Sequence, residues 1–191
     1  MTSHNVSEIL FDREALARRV ADLAEEIAQR RPADLLAVGI LRGCFVFLAD
    51  LVRALSERGV RLNVDFLVLS SYGNDVESSG NVRVLQDLRE TAKDRDVLLV
   101  DDILDTGRTL AFARRLLLER GARSVATCAL LDKPSRRVVD FEADHVGFSI
   151  PDAFVVGYGL DYANRYRELP HLAVLPEAPE EDRSSGTPSP A

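Results

Sequence analysis

The chain has almost no sulfur chemistry. It holds two cysteines and one methionine in 191 residues, and no tryptophan. Cys44 and Cys128 are too few for a disulfide framework, and neither stands in metal-ligand spacing. Three isolated histidines cannot complete a zinc site with them. No stretch approaches the about 18 uninterrupted apolar residues of a membrane span, and the opening Met-Thr-Ser-His-Asn-Val-Ser-Glu has no basic-then-apolar signal region. Positive charge is in deficit, with 24 basic against 31 acidic residues and a net charge of −7. That balance argues against a general binder of nucleic acid or of a membrane surface. Lysine is scarcest, with Lys93 and Lys133 against 22 arginines. What is present, 46% hydrophobic and 29% charged residues, is the make-up of one globular domain, expected in the cytoplasm.

Leu16, Val20, Leu23 and Ile27 share one helical face and predict a helix over about 12–31, capped by Asp12 and stopped by Pro32. The run 35–41 is apolar without alternation, as in a parallel strand buried on both faces. A second helix is predicted to carry Phe45, Leu48, Val52 and Leu55 and to end at Gly59. Residues 62–69 alternate like a strand. The polar, aperiodic stretch 70–80 reads either as a functional loop or as a hairpin tip. Strands are predicted at 82–85, 97–100 and 124–131, with a helix over 109–120, and shorter strands near 146–148, 154–156 and 172–175. Strands alternating with helices predict an α/β fold on a parallel sheet. Residues 176–191 hold four of the eight prolines, four acidic residues and almost nothing apolar. The chain therefore divides into a domain over 1–175 and a tail over 176–191 expected to be disordered.

Chemistry concentrates in Val97-Leu98-Leu99-Val100-Asp101-Asp102-Ile103-Leu104-Asp105-Thr106-Gly107-Arg108-Thr109-Leu110. A buried strand leads to an acidic pair, then to a loop of small residues, then to a helix start. Ligands of open α/β sheets bind beyond the carboxyl ends of the strands. A helix N-terminus behind a glycine loop offers free N–H groups and a positive dipole end to a phosphate. Thr106 and Thr109 add hydroxyl donors. Two carboxylates beside a phosphate site make sense if they accept from sugar hydroxyls or hold Mg²⁺, which describes a phosphorylated sugar. Alone, an Asp-Asp pair is more often a solvated turn. Asp-Thr-Gly alone evokes aspartic proteases, whose paired carboxylates share a proton, but those lie in β-rich lobes. Neither a Walker A pattern nor a G-x-G-x-x-G after a strand is present.

Taken whole, the stretch resembles the phosphoribosyl-diphosphate (PRPP) motif of the type I phosphoribosyltransferases: aliphatics, two acids, two aliphatics, then Asp-Thr-Gly-x-Thr. Every position matches. Gly39-Ile40-Leu41-Arg42-Gly43, Ser70-Ser71-Tyr72-Gly73, Leu131-Asp132-Lys133 and the run from Pro151 to Tyr162 are similar, more narrowly, to the hypoxanthine-guanine branch. The resemblance covers about 7–175. It implies the type I fold, a central mostly parallel twisted sheet flanked by helices, with a small hood and a mobile lid loop. It implies transfer of the phosphoribosyl group of PRPP to hypoxanthine or guanine, with release of diphosphate.

Residue by residue, the resemblance implies a 5′-phosphate cradle at Asp105, Thr106, Gly107, Arg108 and Thr109. It implies ribose and Mg²⁺ contacts at Asp101 and Asp102. Asp105 would accept the proton from purine N7; on residue type alone it reads as a helix N-cap. Arg42 and Gly43 match a diphosphate loop containing a non-proline cis peptide, and Arg167 matches a second diphosphate arginine. Lys133 would donate to O6 of the base, Phe154 would stack on it, and the Val155 backbone would bond its edge. Asp161 would lie near the exocyclic group and reach a second Mg²⁺ through water. Ser71 and Tyr72 match the lid. A homodimer or homotetramer is implied. On residue type alone, Phe154 reads as core and the two arginines as surface. Competing readings are a phosphoribosyltransferase for xanthine, adenine or a pyrimidine, and a PRPP-sensing RNA-binding regulator, which the absence of any overall basic bias disfavours.

Overall fold

A computed structural model describes residues 8–30, 32, 34–71 and 82–175. The elements run β1 (Glu8–Phe11), α1 (Arg13–Gln29), β2 (Leu35–Leu41), α2 (Phe45–Glu57), β3 (Leu62–Ser71), β4 (Val82–Gln86), β5 (Asp96–Leu104), α3 (Arg108–Glu119), β6 (Ser124–Asp132), β7 (His145–Ser149), β8 (Val155–Val156) and β9 (Leu172–Val174). A 3₁₀ turn, Pro134–Arg136, follows β6. Six strands form the main sheet in the order β4-β3-β2-β5-β6-β7. All neighbours pair parallel except β4, which lies antiparallel on β3 with Ser71 opposite Val82. The stretch read as lid or hairpin tip therefore lies between two paired strands, and residues 72–81 lie outside the described ones.

Period-two alternation sends successive residues of β2 and β5 to opposite faces. Leu35, Ala37, Leu98 and Val100 pack with α1 and α2, while Leu36, Val38, Val97 and Leu99 pack with α3. Both faces are buried, which is why the run 35–41 shows no polar alternation. In α1 the predicted face is the buried one, and the Asp12 carboxylate accepts the Ala15 N–H at 2.7 Å as an N-cap. The face predicted for α2 is displaced. Phe47, Leu48, Leu51 and Leu55 are buried, whereas Phe45 is 45% exposed. Phe45 stands in the first turn of the helix.

A second, three-stranded antiparallel sheet has the order β1-β9-β8. It is the expected hood. β1 was not foreseen in the sequence pattern: it has four residues, and its partner is far away in the chain, with Glu8 opposite Val174.

Candidate active site

β5 extends further than its apolar run. Asp101 and Asp102 lie within the strand, not in the loop after it, because Asp101, Ile103 and Leu104 still pair with β6. Asp101 is only 5% exposed. The Asp102 N–H donates to Asp101 Oδ1 at 3.0 Å, and the Ile103 N–H donates to Asp102 Oδ1 at 3.0 Å. Burial, together with the charge of Asp102, pushes the Asp101 carboxyl well above its ordinary value. Burial also raises Asp102, opposed by its hydrogen bonds to Asp101 and to backbone N–H groups and, least, by the charge of Arg167. This pair wants positive charge. Among the described residues no three carboxylate, histidine or cysteine side chains converge to hold an ion. Hard oxygen donors from one acidic pair suit Mg²⁺, which keeps waters and is completed by substrate oxygens.

α3 begins without a side-chain cap. Its N-cap is Gly107 at φ +84°, a left-handed conformation that glycine adopts without a Cβ clash. First-turn N–H groups have no acceptors inside the helix; the Arg108 N–H donates to Thr106 Oγ1 at 3.4 Å, and such a helix end can serve an anion. The cradle is held from behind: the N–H groups of Val138 and Val139 donate to the Thr106 carbonyl at 3.1 and 3.4 Å. A Cβ at Gly107 would lie 2.8 Å from Val139 Cγ2. Asp105 is not the helix cap. Its carboxylate instead accepts from Arg136 Nε at 3.3 Å, while Arg137 donates to the Leu104 and Asp105 carbonyls and pairs with Asp132.

The expected cis peptide is present between Leu41 and Arg42. Gly43 lies so close to Asp102 that any Cβ would overlap its carboxylate, and a Cβ at Gly159 would overlap the Gly43 carbonyl. Arg167 donates to the Gly159 carbonyl at 2.6 Å and pairs with Asp161 Oδ1 at 2.6 Å. Residues from three distant segments (43, 102 and 159–167) thus meet at one place. Arg42 is exposed and ion-paired with no carboxylate among the described residues. Cys44 is fully buried; burial, and then the charges of Asp101 and Asp102, push its thiol upward, so it is no nucleophile.

Lys133, at the end of β6, is 9% exposed, with Nζ 3.9 Å from Asp152 Oδ1. Arg136 spans Asp152, at 3.6 Å, and Asp105, so the lysine and the proposed base sit on one chain of charges. Phe154 is 52% exposed, which excludes the core reading, and it meets Tyr162 edge to face at 5.6 Å. Val155 is buried in β8 opposite Val174. Ser71 ends β3, and Tyr72 lies outside the described residues. Sequence reasoning missed Arg136, Arg137, Asp152 and Tyr162. The first two stand three and four residues after Lys133, a local basic cluster that was there to be noticed.

Residues 6–163 match the phosphoribosyl transferase domain family. The chain is 43% identical over 179 residues to the hypoxanthine-guanine phosphoribosyltransferase of Bacillus subtilis, covering 93% of this chain and 98% of that protein. It is 46% identical over 168 residues to the hypoxanthine phosphoribosyltransferase of Escherichia coli, covering 86% and 93%. Hypoxanthine phosphoribosyltransferase from Trypanosoma cruzi, solved as a ternary substrates complex, superposes with a TM-score of 0.85 at 41% identity, covering 91% of this chain and 97% of that one. With the acidic pair, the uncapped helix start and these matches all in one domain, the chain belongs to the phosphoribosyltransferase family, in its hypoxanthine-guanine branch.

Proposed function

We propose that the chain transfers the phosphoribosyl group of PRPP to a 6-oxopurine, hypoxanthine or guanine, forming IMP or GMP and diphosphate in purine salvage. The observation that carries this reading is the Asp101-Asp102 pair near the end of β5, with Asp101 buried, followed within a few residues by the glycine-capped N-terminus of α3. Positive charge grows on the ribose and negative charge on the leaving diphosphate in such a transfer, so fixed cations at the diphosphate and a nearby base supply the catalysis. Thr106 to Thr109 hold the 5′-phosphate with backbone N–H groups and hydroxyls. Asp101 and Asp102 bind the ribose hydroxyls and would hold Mg²⁺, and Asp161 would serve a second ion. That ion, when bound, neutralises charge on the diphosphate. Arg42, the Gly43 backbone and Arg167 hold the leaving group, and Ser71 and Tyr72 close over it to exclude water.

Asp105 takes the proton from purine N7. Phe154 stacks on the base, the Val155 backbone bonds its edge, and Lys133 donates to O6. A donor at that point suits a 6-oxopurine and opposes adenine, whose 6-amino group is itself a donor. Assembly as a homodimer or homotetramer in the cytoplasm belongs to the same reading; no helix among the described residues is long and apolar enough to cross a membrane.

The test supplies PRPP and Mg²⁺ with hypoxanthine, guanine, xanthine and adenine in turn and reads nucleotide formation. Hypoxanthine or guanine is expected to exceed adenine by at least about 10²-fold in kcat/KM, since a charge-assisted bond is exchanged for a donor–donor clash. Lys133→Met is expected to narrow that gap by weakening the 6-oxopurines. An unchanged preference in the variant removes Lys133 from base selection, and nucleotide formation from xanthine or adenine alone overturns the substrate assignment.

A further inference from the structure

Tyr158 sits where two parts of the site must keep their distance. It occupies φ +50° between Gly157 at +98° and Gly159 at +103°, so three consecutive residues lie in the left-handed region. Glycine adopts that region freely, while another side chain there persists only when its surroundings hold it. The Tyr158 N–H donates to the Leu169 carbonyl at 2.9 Å, and the Gly159 N–H donates to the Arg167 carbonyl at 3.0 Å. These bonds fasten the tyrosine to the strip carrying Arg167. Its ring is buried in the core with α1 and α2, and its hydroxyl donates to Asp50 Oδ2 at 2.5 Å. Asp50 stands on α2, the helix that starts directly after Arg42-Gly43. On the other side of Tyr158, Gly159 rests against the Gly43 carbonyl.

Phenylalanine would fill the same space in the core, so packing does not account for the hydroxyl. Asp50 is half-buried and also pairs with Arg53, so it has no need of the phenol as a partner. The bond spans 108 residues and adds a directional polar tie between the two segments to the packing of the ring and the close approach of Gly159 to Gly43. We propose that Tyr158, through its hydrogen bond to Asp50, is a positioning residue that sets the separation between the diphosphate loop at Arg42-Gly43 and the Arg167–Asp161 pair. This rests on the functional reading above. Burial, and then Asp50, raise the phenol far above its ordinary value, so the donor keeps its proton throughout the working range.

The test is steady-state kinetics of Tyr158→Phe, Asp50→Ala and Asp50→Asn beside the native enzyme, with PRPP and hypoxanthine varied separately. Misplacing one side of a two-sided clamp is expected to raise the PRPP KM about tenfold. The hypoxanthine KM is expected to stay within about twofold, since the base is held elsewhere. Asp50→Ala is expected to match Tyr158→Phe in the PRPP KM, and the double variant to be no worse than either single one, because each removes the same Tyr158–Asp50 bond and the Arg53 pair that Asp50→Ala also removes is solvent-exposed. Asp50→Asn keeps an acceptor oxygen for the phenol and is expected to behave as the native enzyme. An unchanged PRPP KM in Tyr158→Phe overturns the inference. So does an equal rise in both KM values accompanied by a fall in Tm, which is the signature of a merely structural role. A native enzyme that forms no nucleotide overturns the functional reading, and the inference with it, and the unsubstituted control identifies that case.

Discussion

Asp105, proposed above as the base, is only lightly held. Its only side-chain partner among the described residues is Arg136, at 3.3 Å, and 42% of its side chain is exposed. Asp105→Asn keeps the shape and an acceptor oxygen for Arg136 but cannot take a proton from N7. Turnover is expected to fall by about 10²–10⁴-fold, the usual consequence of losing a general base, with PRPP binding within a few-fold of native. Single-turnover kinetics checks this, and a chemical step within a few-fold of native removes Asp105 from the role. Asp101 is the opposite kind of residue, one whose burial costs stability. Its folded pKa is raised above the unfolded value, so the folded state binds the proton more tightly. The cost is absent below the unfolded pKa of roughly 4, grows as pH rises towards the folded pKa, and is complete above it. Asp101→Asn keeps the bond from the Asp102 N–H. It is expected to raise Tm at pH 7, by about 2–4 °C for each kcal/mol relieved, and to gain less as pH falls towards 4. Calorimetry without divalent cations reads both. A variant no more stable than native at pH 7 shows that the pair is already neutralised.

At the scale of elements, the start of α3 depends on one backbone conformation. Gly107→Ala places a Cβ at φ +84° and 2.8 Å from Val139 Cγ2. The left-handed conformation alone costs roughly 1–2 kcal/mol, and Val139 must also move. Gly59 provides a control, because it lies at φ +77° with nothing within 4 Å of a Cβ. Both alanine variants are expected to lose stability in denaturant titration, Gly107→Ala more. Only Gly107→Ala is expected to raise the PRPP KM. Equal kinetic effects would separate the cradle from the glycine. Elements also explain where the sequence pattern was readable. α1 and β2 announce themselves because each buries a periodic set of side chains within one continuous segment. Asp101 and Asp102 were read as beyond their strand because an acidic pair conceals a strand whose pairing continues through it.

For the whole molecule, the described fold closes with β9, which lies between β1 and β8 in the hood sheet. Phe11 pairs with Leu172, and Val155 pairs with Val174, so residues up to 175 complete the core. Deleting 176–191, a stretch without a burial pattern, is therefore expected to leave Tm within about 2 °C and kcat/KM within about twofold. Thermal unfolding and the nucleotide-formation assay check this. A large fall in either places part of that stretch against the domain.

The sequence by itself determined the class of fold, the glycine loop that enters α3 and the acidic pair, because each is written in consecutive residues: apolar runs for buried strands, Asp-Thr-Gly-x-Thr for a loop entering a helix. It also marked Arg42, Lys133, Phe154 and Arg167, but only by resemblance, since nothing local separates a ligand-facing arginine from a solvated one. Tertiary structure decided which of these meet. The contact of Gly43 with Asp102, the seating of Gly159 on the Gly43 carbonyl, and the ties from Arg136 to Asp105 and Tyr158 to Asp50 all join residues 31 or more positions apart. Such contacts leave no periodic trace, because they are fixed by how the helices and the hood pack on the sheet rather than by any one segment's own preference.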